Sequence, residues 1–236
     1  MNVALLHLRD LQVEAIDQAL NDQEIAQELN EATQRIDDLT NFVKCRSQRA
    51  ENKVFELAIR ELNQSFLAAL NSHYRQSFSG QRLSLELWFA GIQFSMNELA
   101  FRKWKMDKQD IVWSSLINSS DGILSVEVAR VYWAVAEKRV PTYRNLAEKV
   151  YRECSQFVHG NNETHHYLPQ TFGYSRKVLQ AWKSNLDTIT LLFSYTFLLR
   201  FNEELTNLDY EKLAQPITDI LGHLSEAREL LNKGSN

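Results

Sequence analysis

Apolar side chains at Ile25, Leu29, Ala32, Ile36, Leu39 and Val43 alternate steps of four and three, the period of a helix face that packs against a partner. Leu213, Ile217, Ile220, Leu224, Ala227 and Leu231 repeat that spacing near the other end of the chain. Leu5, Leu8, Leu11 and Ile16 predict a helix before the first stripe, and Val54, Leu57, Ile59, Leu62, Phe66 and Leu70 one after it. The two heptad-like stretches carry no chemistry and read as packing or oligomerisation surfaces, open to a regulatory protein partner.

Ser79-Gly80 reads as a turn, opening a central segment. Residues 83 to 104 place Leu83, Leu87, Ala90, Phe94 and Phe101 on one face and Leu85, Trp88, Ile92 and Leu99 on another, which predicts a buried bundle helix. Asn118 to Gly122 reads as a turn and Ser125 to Lys138 as a further helix. Pro141 suits a break, with Thr142 as candidate cap of a helix that ends near His159. Gly160-Asn161-Asn162 then opens the longest non-helical stretch, reaching Pro169 and Gly173, before a last core helix from about Ser175 to Leu205. The expectation is an all-α fold, an antiparallel helical bundle over residues 80–205, with an N-terminal helical region at 1–79 and a C-terminal helix at 206–236.

Composition supports this reading. The 236 residues contain three prolines and seven glycines, none before Gly80, and no convincing strand run. The amino terminus lacks the layout of a secretory signal, and the most apolar run, Ile189 to Leu199, is about half of the ~20 residues a membrane helix needs. With only Cys45 and Cys154 and no export signal, reduced thiols and a cytoplasmic location are expected.

The net charge of −4 is segregated. Residues 1–43 hold nine acids and two bases, 44–200 fourteen acids and twenty-one bases, and 201–236 seven acids and three bases. A basic centre between acidic ends is compatible with a polyanion such as RNA, with the ends covering that surface in one state, but on charge alone ordinary solvated helix faces are the favoured reading. Lys103, Lys105, Lys108, Arg144 and Lys149 are candidate phosphate contacts. The tryptophans recur within helical patterns and are read as core.

Candidate chemistry concentrates at Tyr151-Arg152-Glu153-Cys154-Ser155-Gln156-Phe157-Val158-His159-Gly160-Asn161. Tyr143, Leu146, Val150, Cys154 and Phe157 share the apolar side of this helix, and Asn145, Glu148, Arg152, Ser155, Gln156 and His159 the polar side. Arg152 and His159, seven residues apart, leave on nearly the same face. That stripe is also what any surface helix shows, with Arg152 able to pair with Glu148 and His159 a favourable cation at a helix end. Cys154, His159, His165 and His166 contain zinc-type ligands, but their spacing matches no ligand pattern and Cys154 projects to the apolar side, so no metal or other cofactor is expected.

The string Leu146-x4-Tyr151-x2-Cys154-Ser155-x-Phe157-Val158-His159-Gly160-Asn161, with Arg152 preceding His159 by six intervening residues, resembles the signature helix of HEPN-domain proteins. The aromatic-rich segments 83–104 and 128–136 are similar to those preceding the signature in defence-associated members, so the resemblance spans about 82–200. It implies a dimerising helical bundle with a metal-independent endoribonuclease site, Arg152 and His159 catalytic, Ser155 and Asn161 auxiliary, and Arg144, Lys149, His165 and His166 contacting RNA. It further implies a toxin or antiviral-defence effector. The chain departs from many members in carrying Glu153 directly after the arginine, and its spacing is at the long end of the family's range. Some relatives only bind, so a non-catalytic module for a protein partner or nucleic acid is the alternative.

Overall fold

A computed structural model describes residues 3–159 and 161–234, without the side chains of residues 163, 233 and 234. The fold is all-α. In chain order the helices are α1 (Val3–Asn21), α2 (Gln23–Lys44), α3 (Asn52–Leu70), α4 (Tyr74–Met96), α5 (Glu98–Lys105), α6 (Trp113–Leu116) and α7 (Val126–Tyr132). They are followed by α8 (Val140–His159), α9 (Asn162–Tyr167), α10 (Arg176–Phe201), α11 (Asn207–Leu221) and α12 (Ser225–Gly234). Short 3-10 segments at Ala134–Arg139 and Asn202–Glu204 join α7 to α8 and extend α10.

The bundle is organised around α10, whose side chains from Ile189 to Phe201 are buried save that of Leu191, which is partly so. That explains an apolar run too short to be a membrane span, and among the described residues no helix is long and apolar enough to cross a membrane. Helices α2, α4, α8 and α11 pack around α10, and α3 lies between α2 and α4. The aromatic core interlocks through Trp88 on Phe193, ring centroids 4.3 Å apart, and Phe55 edge-on to Trp88 at 4.9 Å. Polar side chains bridge the core helices: Trp88 Nε1 donates to Thr196 Oγ1 (3.1 Å), Trp182 Nε1 to Ser65 Oγ (2.8 Å), and Gln81 Nε2 to the carbonyl of Trp182 (2.8 Å).

The stripe from Ile25 to Val43 is buried inside the chain against α10, α3 and α11, the packing alternative of the two that the sequence left open, and the C-terminal stripe from Leu213 to Ala227 is likewise buried. One continuous cluster of buried apolar residues runs from Ala19 to Leu230, and residues 1–79 contribute α2 and α3 to the same core as the rest. The turn expected at Ser79-Gly80 lies inside α4; a Cβ on Gly80 would meet Ser65 Cβ at 2.9 Å and the Glu61 carbonyl at 3.1 Å, so this glycine serves close helix approach. Helix 83–104 is two helices meeting at Asn97, whose side chain caps α5 by accepting from Ala100 N. The C-terminal helix is also two, broken after Leu221.

The acidic N-terminal segment does contact the basic centre: Arg176 pairs with Asp22 and Glu24, and Lys183 with Glu31 (3.6 Å). These acids lie on or directly before α2, so the contact belongs to the fold rather than to a detachable cover.

Candidate functional site

Helix α8 follows directly from the 3-10 segment, with Pro141 in its first turn, where a missing N–H costs no hydrogen bond. Thr142 therefore lies within the helix instead of capping it. Tyr143, Ala147, Val150, Cys154 and Phe157 are buried against α4 and α10. Tyr143 stacks on Tyr195 (3.7 Å) and Phe157 on Phe78 (3.7 Å), fixing the rotation of α8 about its axis.

That rotation turns Arg152 and His159 to solvent. Among the described residues neither side chain makes a hydrogen bond, ion pair or ring contact; the ion pair on this part of the helix runs from Lys149 to Glu153 (3.8 Å), not from Arg152 to Glu148. Ser155 Oγ donates to the Tyr151 carbonyl at 2.7 Å, so its proton is committed to the helix backbone. Arg144 is half-buried with Nη1 3.4 Å from the Leu124 carbonyl. Asn161 caps α9 through its backbone, its carbonyl accepting from Thr164 N (2.9 Å) and Oγ1 (2.6 Å), and its side chain is exposed. Gly160 lies outside the described residues.

The stretch read as non-helical after His159 contains α9, which carries His165 and His166 in its last turn. Both are exposed, and His165 Nδ1 lies 3.4 Å from Arg75 Nη2. Arg75 is a residue the sequence did not single out. Its Nη1 donates to the Phe157 carbonyl at 3.0 Å, satisfying one of the last four carbonyls of α8 and tying the end that bears His159 to α4. The two residues are 82 apart in sequence, so no local pattern announces the contact.

The other side of the helix is held by Tyr151, which stacks on Trp113 (4.1 Å) and donates its hydroxyl to Glu86 (2.8 Å), with the Arg82 guanidinium over its ring. Cys154 is fully buried. Burial pushes its thiol up to about 12, against a weak opposing contact from Asn185, so it stays protonated and is a poor metal ligand or nucleophile. Among the described residues no three His, Cys, Asp or Glu side chains gather as a metal site.

Beside the Arg152–His159 stripe, α8, α9 and α10 enclose a cavity of about 450 Å³, lined by Glu153, Gln156, Phe157, Thr164, Tyr167 and Asn185, among others. A larger hollow of about 680 Å³ between the α2–α3 loop and the α4–α5 junction is lined by Arg49, Arg102 and Lys105, of which Arg49 pairs with Glu51 and Glu204, and Arg102 with Glu98. Lys103 and Lys105 are exposed on α5, and Lys108 follows in the turn after it. Trp88, Trp133 and Trp182 are core residues, while Trp104 and Trp113 are partly buried against it.

Comparison of the chain with protein-family models, with curated proteins and with solved structures gives no match.

Proposed function

We propose that the chain is a HEPN-type, metal-independent endoribonuclease of the cytoplasm, acting as a dimer through Arg152 and His159. One observation carries the reading: a guanidinium and an imidazole, both solvent-facing and unengaged among the described residues, share the outer stripe of a helix whose inner face is locked into the core. An exposed arginine that pairs with no carboxylate among the described residues is available to a phosphate, which it can grip through two N–H donors. The role as toxin or antiviral-defence effector rests on the HEPN resemblance.

In the reaction, one imidazole takes the proton of a ribose 2′-hydroxyl as its oxygen attacks phosphorus. The O2′–P bond forms, the P–O5′ bond breaks, and the departing 5′-oxygen takes a proton from solvent while the imidazolium returns its own to solvent, so that protons balance. Arg152 stabilises the added charge of the pentacovalent transition state. The products are a 2′,3′-cyclic phosphate and a 5′-hydroxyl, with no water consumed in this step.

Helix geometry supports a dimer. Seven residues span about 10 Å along the axis, and helical side chains lean toward the N-terminus, so Arg152 leans away from His159 of its own helix. An antiparallel two-fold pairing of α8 helices brings Arg152 of one protomer to the partner's His159. Labelled tRNA and mixed cellular RNA incubated in EDTA test the reading. Cleavage to cyclic-phosphate ends, lost in Arg152→Ala and His159→Ala, is expected; cleavage unchanged by either substitution refutes it.

A second reading, a non-catalytic module that binds a protein partner, is favoured by α1. Val3, Leu5, Leu8, Val13 and Leu20 are exposed there, and only Ala15 and Ala19 are buried. Wild-type protein that cleaves no RNA but captures a partner through α1 would support it.

A further inference from the structure

We propose that the cavity between α8, α9 and α10 is a base-binding subsite selective for guanine, an inference that deepens the ribonuclease reading and rests on it. Its volume, about 450 Å³, lies in the ligand-pocket range of roughly 300–1,000 Å³. On a helical projection Gln156 falls between Arg152 and Glu153, so the cavity adjoins the stripe that carries Arg152 and His159. A nucleotide whose phosphate lies at Arg152 has its base within reach of this cavity.

The lining selects the base. Phe157, backed by Phe78 at 3.7 Å with planes 6° apart, gives an apolar wall, and Tyr167 gives a second, more exposed ring with Lys177 Nζ 3.7 Å from its centroid. Flat aromatic walls favour a planar ligand. Glu153 contributes an acceptor-only carboxylate whose one ion-pair partner among the described residues is Lys149 at 3.8 Å. Gln156 has no side-chain hydrogen bond among the described residues, and the Asn185 amide, only 7% exposed, makes no closer polar contact than 3.6 Å to Cys154 Sγ. A ligand that satisfies these groups brings two adjacent donors to the carboxylate and an acceptor to an amide.

Guanine alone among the four RNA bases has that edge, with N1–H and N2–H₂ side by side and O6 next to them. Adenine and cytosine set a ring-nitrogen acceptor beside their amino group, and uracil flanks its single N–H with two carbonyls, so each turns a lone pair toward Glu153. A peptide arginine offers the two donors but no acceptor for Gln156 or Asn185. Glu153, which departs from the pattern of many HEPN members, thus acquires a specific role in this chain.

Titration calorimetry of the full chain with 5′-GMP, AMP, CMP and UMP, and with N-acetyl-arginine amide, tests the inference without reference to cleavage. GMP is expected to bind about tenfold or more tightly than the others. Glu153→Gln should shrink that preference to about twofold or less, and Ser184→Trp, which fills the cavity from an exposed position on α10, should abolish GMP binding while the thermal transition is retained. Equal binding of all four nucleotides, a preference that survives Glu153→Gln, or arginine amide binding as tightly as GMP overturns the subsite. Wild-type protein that prefers GMP but never cleaves RNA retains the subsite and removes the ribonuclease reading; protein that cleaves but binds all four alike does the reverse.

Discussion

Arg75, in the first turn of α4, donates from Nη1 to the carbonyl of Phe157 at 3.0 Å, so a single guanidinium fastens the C-terminal turn of α8 to its neighbour. His159 lies two residues further on. Arg75→Ala leaves that carbonyl to water and releases the turn. A loss of about 1 kcal/mol is expected in urea denaturation, with faster amide exchange confined to residues 156–161. Unchanged exchange there would show that Arg75 does not hold the helix end.

The α3–α4 contact sets up an opposition between helix propensity and packing. Alanine in place of a helical glycine ordinarily gains about 1 kcal/mol. At Gly80 the new methyl would sit 2.9 Å from Ser65 Cβ and 3.2 Å from Ser65 Cα, and backbone atoms cannot swing aside. Overpacking costs about 1–3 kcal/mol, so Gly80→Ala is expected to lower the thermal midpoint. A rise would mean that the two helices separate freely.

These residues also show where the sequence was legible and where it was not. The stripe from Ile25 to Val43 gives α2 because periodicity is a local property. That its partner is α10, some 150 residues away, is a property of the whole fold, and the same stripe reads equally well as an oligomer seam. Gly80 reads as a turn because glycine breaks helices, whereas here its missing side chain admits Ser65. The outward face of α8 was legible from spacing alone. The cavity beside it was not, because Glu153, Thr164 and Asn185 reach it from three helices.

Acid stability follows from the cluster joining the start of α11 to the α2–α3 loop. Burial pushes the Glu204 carboxyl up, but its pairs with Arg200 (2.6 Å), Arg49 (2.8 Å) and Arg46 (3.6 Å) outweigh this and hold it below the usual range. Asp209 is likewise raised by burial and more strongly lowered by Thr206 and by Arg46 at 3.2 Å. Both groups release their protons more readily folded than unfolded, so their stabilisation is present above the ordinary carboxylate range near ~4 and is lost as pH falls through the lower folded values. The urea midpoint should therefore hold down to about pH 5 and drop below ~4. Glu204→Gln should flatten that drop, and an unaltered acid slope would contradict the assignment.

Neither thiol is set up for chemistry. Burial raises Cys154 to about 12 and, with Asp209 nearby, Cys45 to about 11. Both should resist a thiol-specific disulfide reagent at pH 8 in the native protein and react fully in urea. Rapid native labelling of Cys154 would mean that the α8–α10 interface opens.

If Arg152 and His159 act together across two protomers, two variants that are each inactive complement one another when mixed. Arg152→Ala and His159→Ala proteins, each inactive alone, are unfolded together, refolded and assayed on labelled RNA in EDTA. Random pairing makes half of the dimers mixed, each with one intact site of two, so recovery of about a quarter of wild-type cleavage is predicted. Wild-type cleavage with no recovery in the mixture would contradict a shared site, and full cleavage by either variant alone would contradict the site itself.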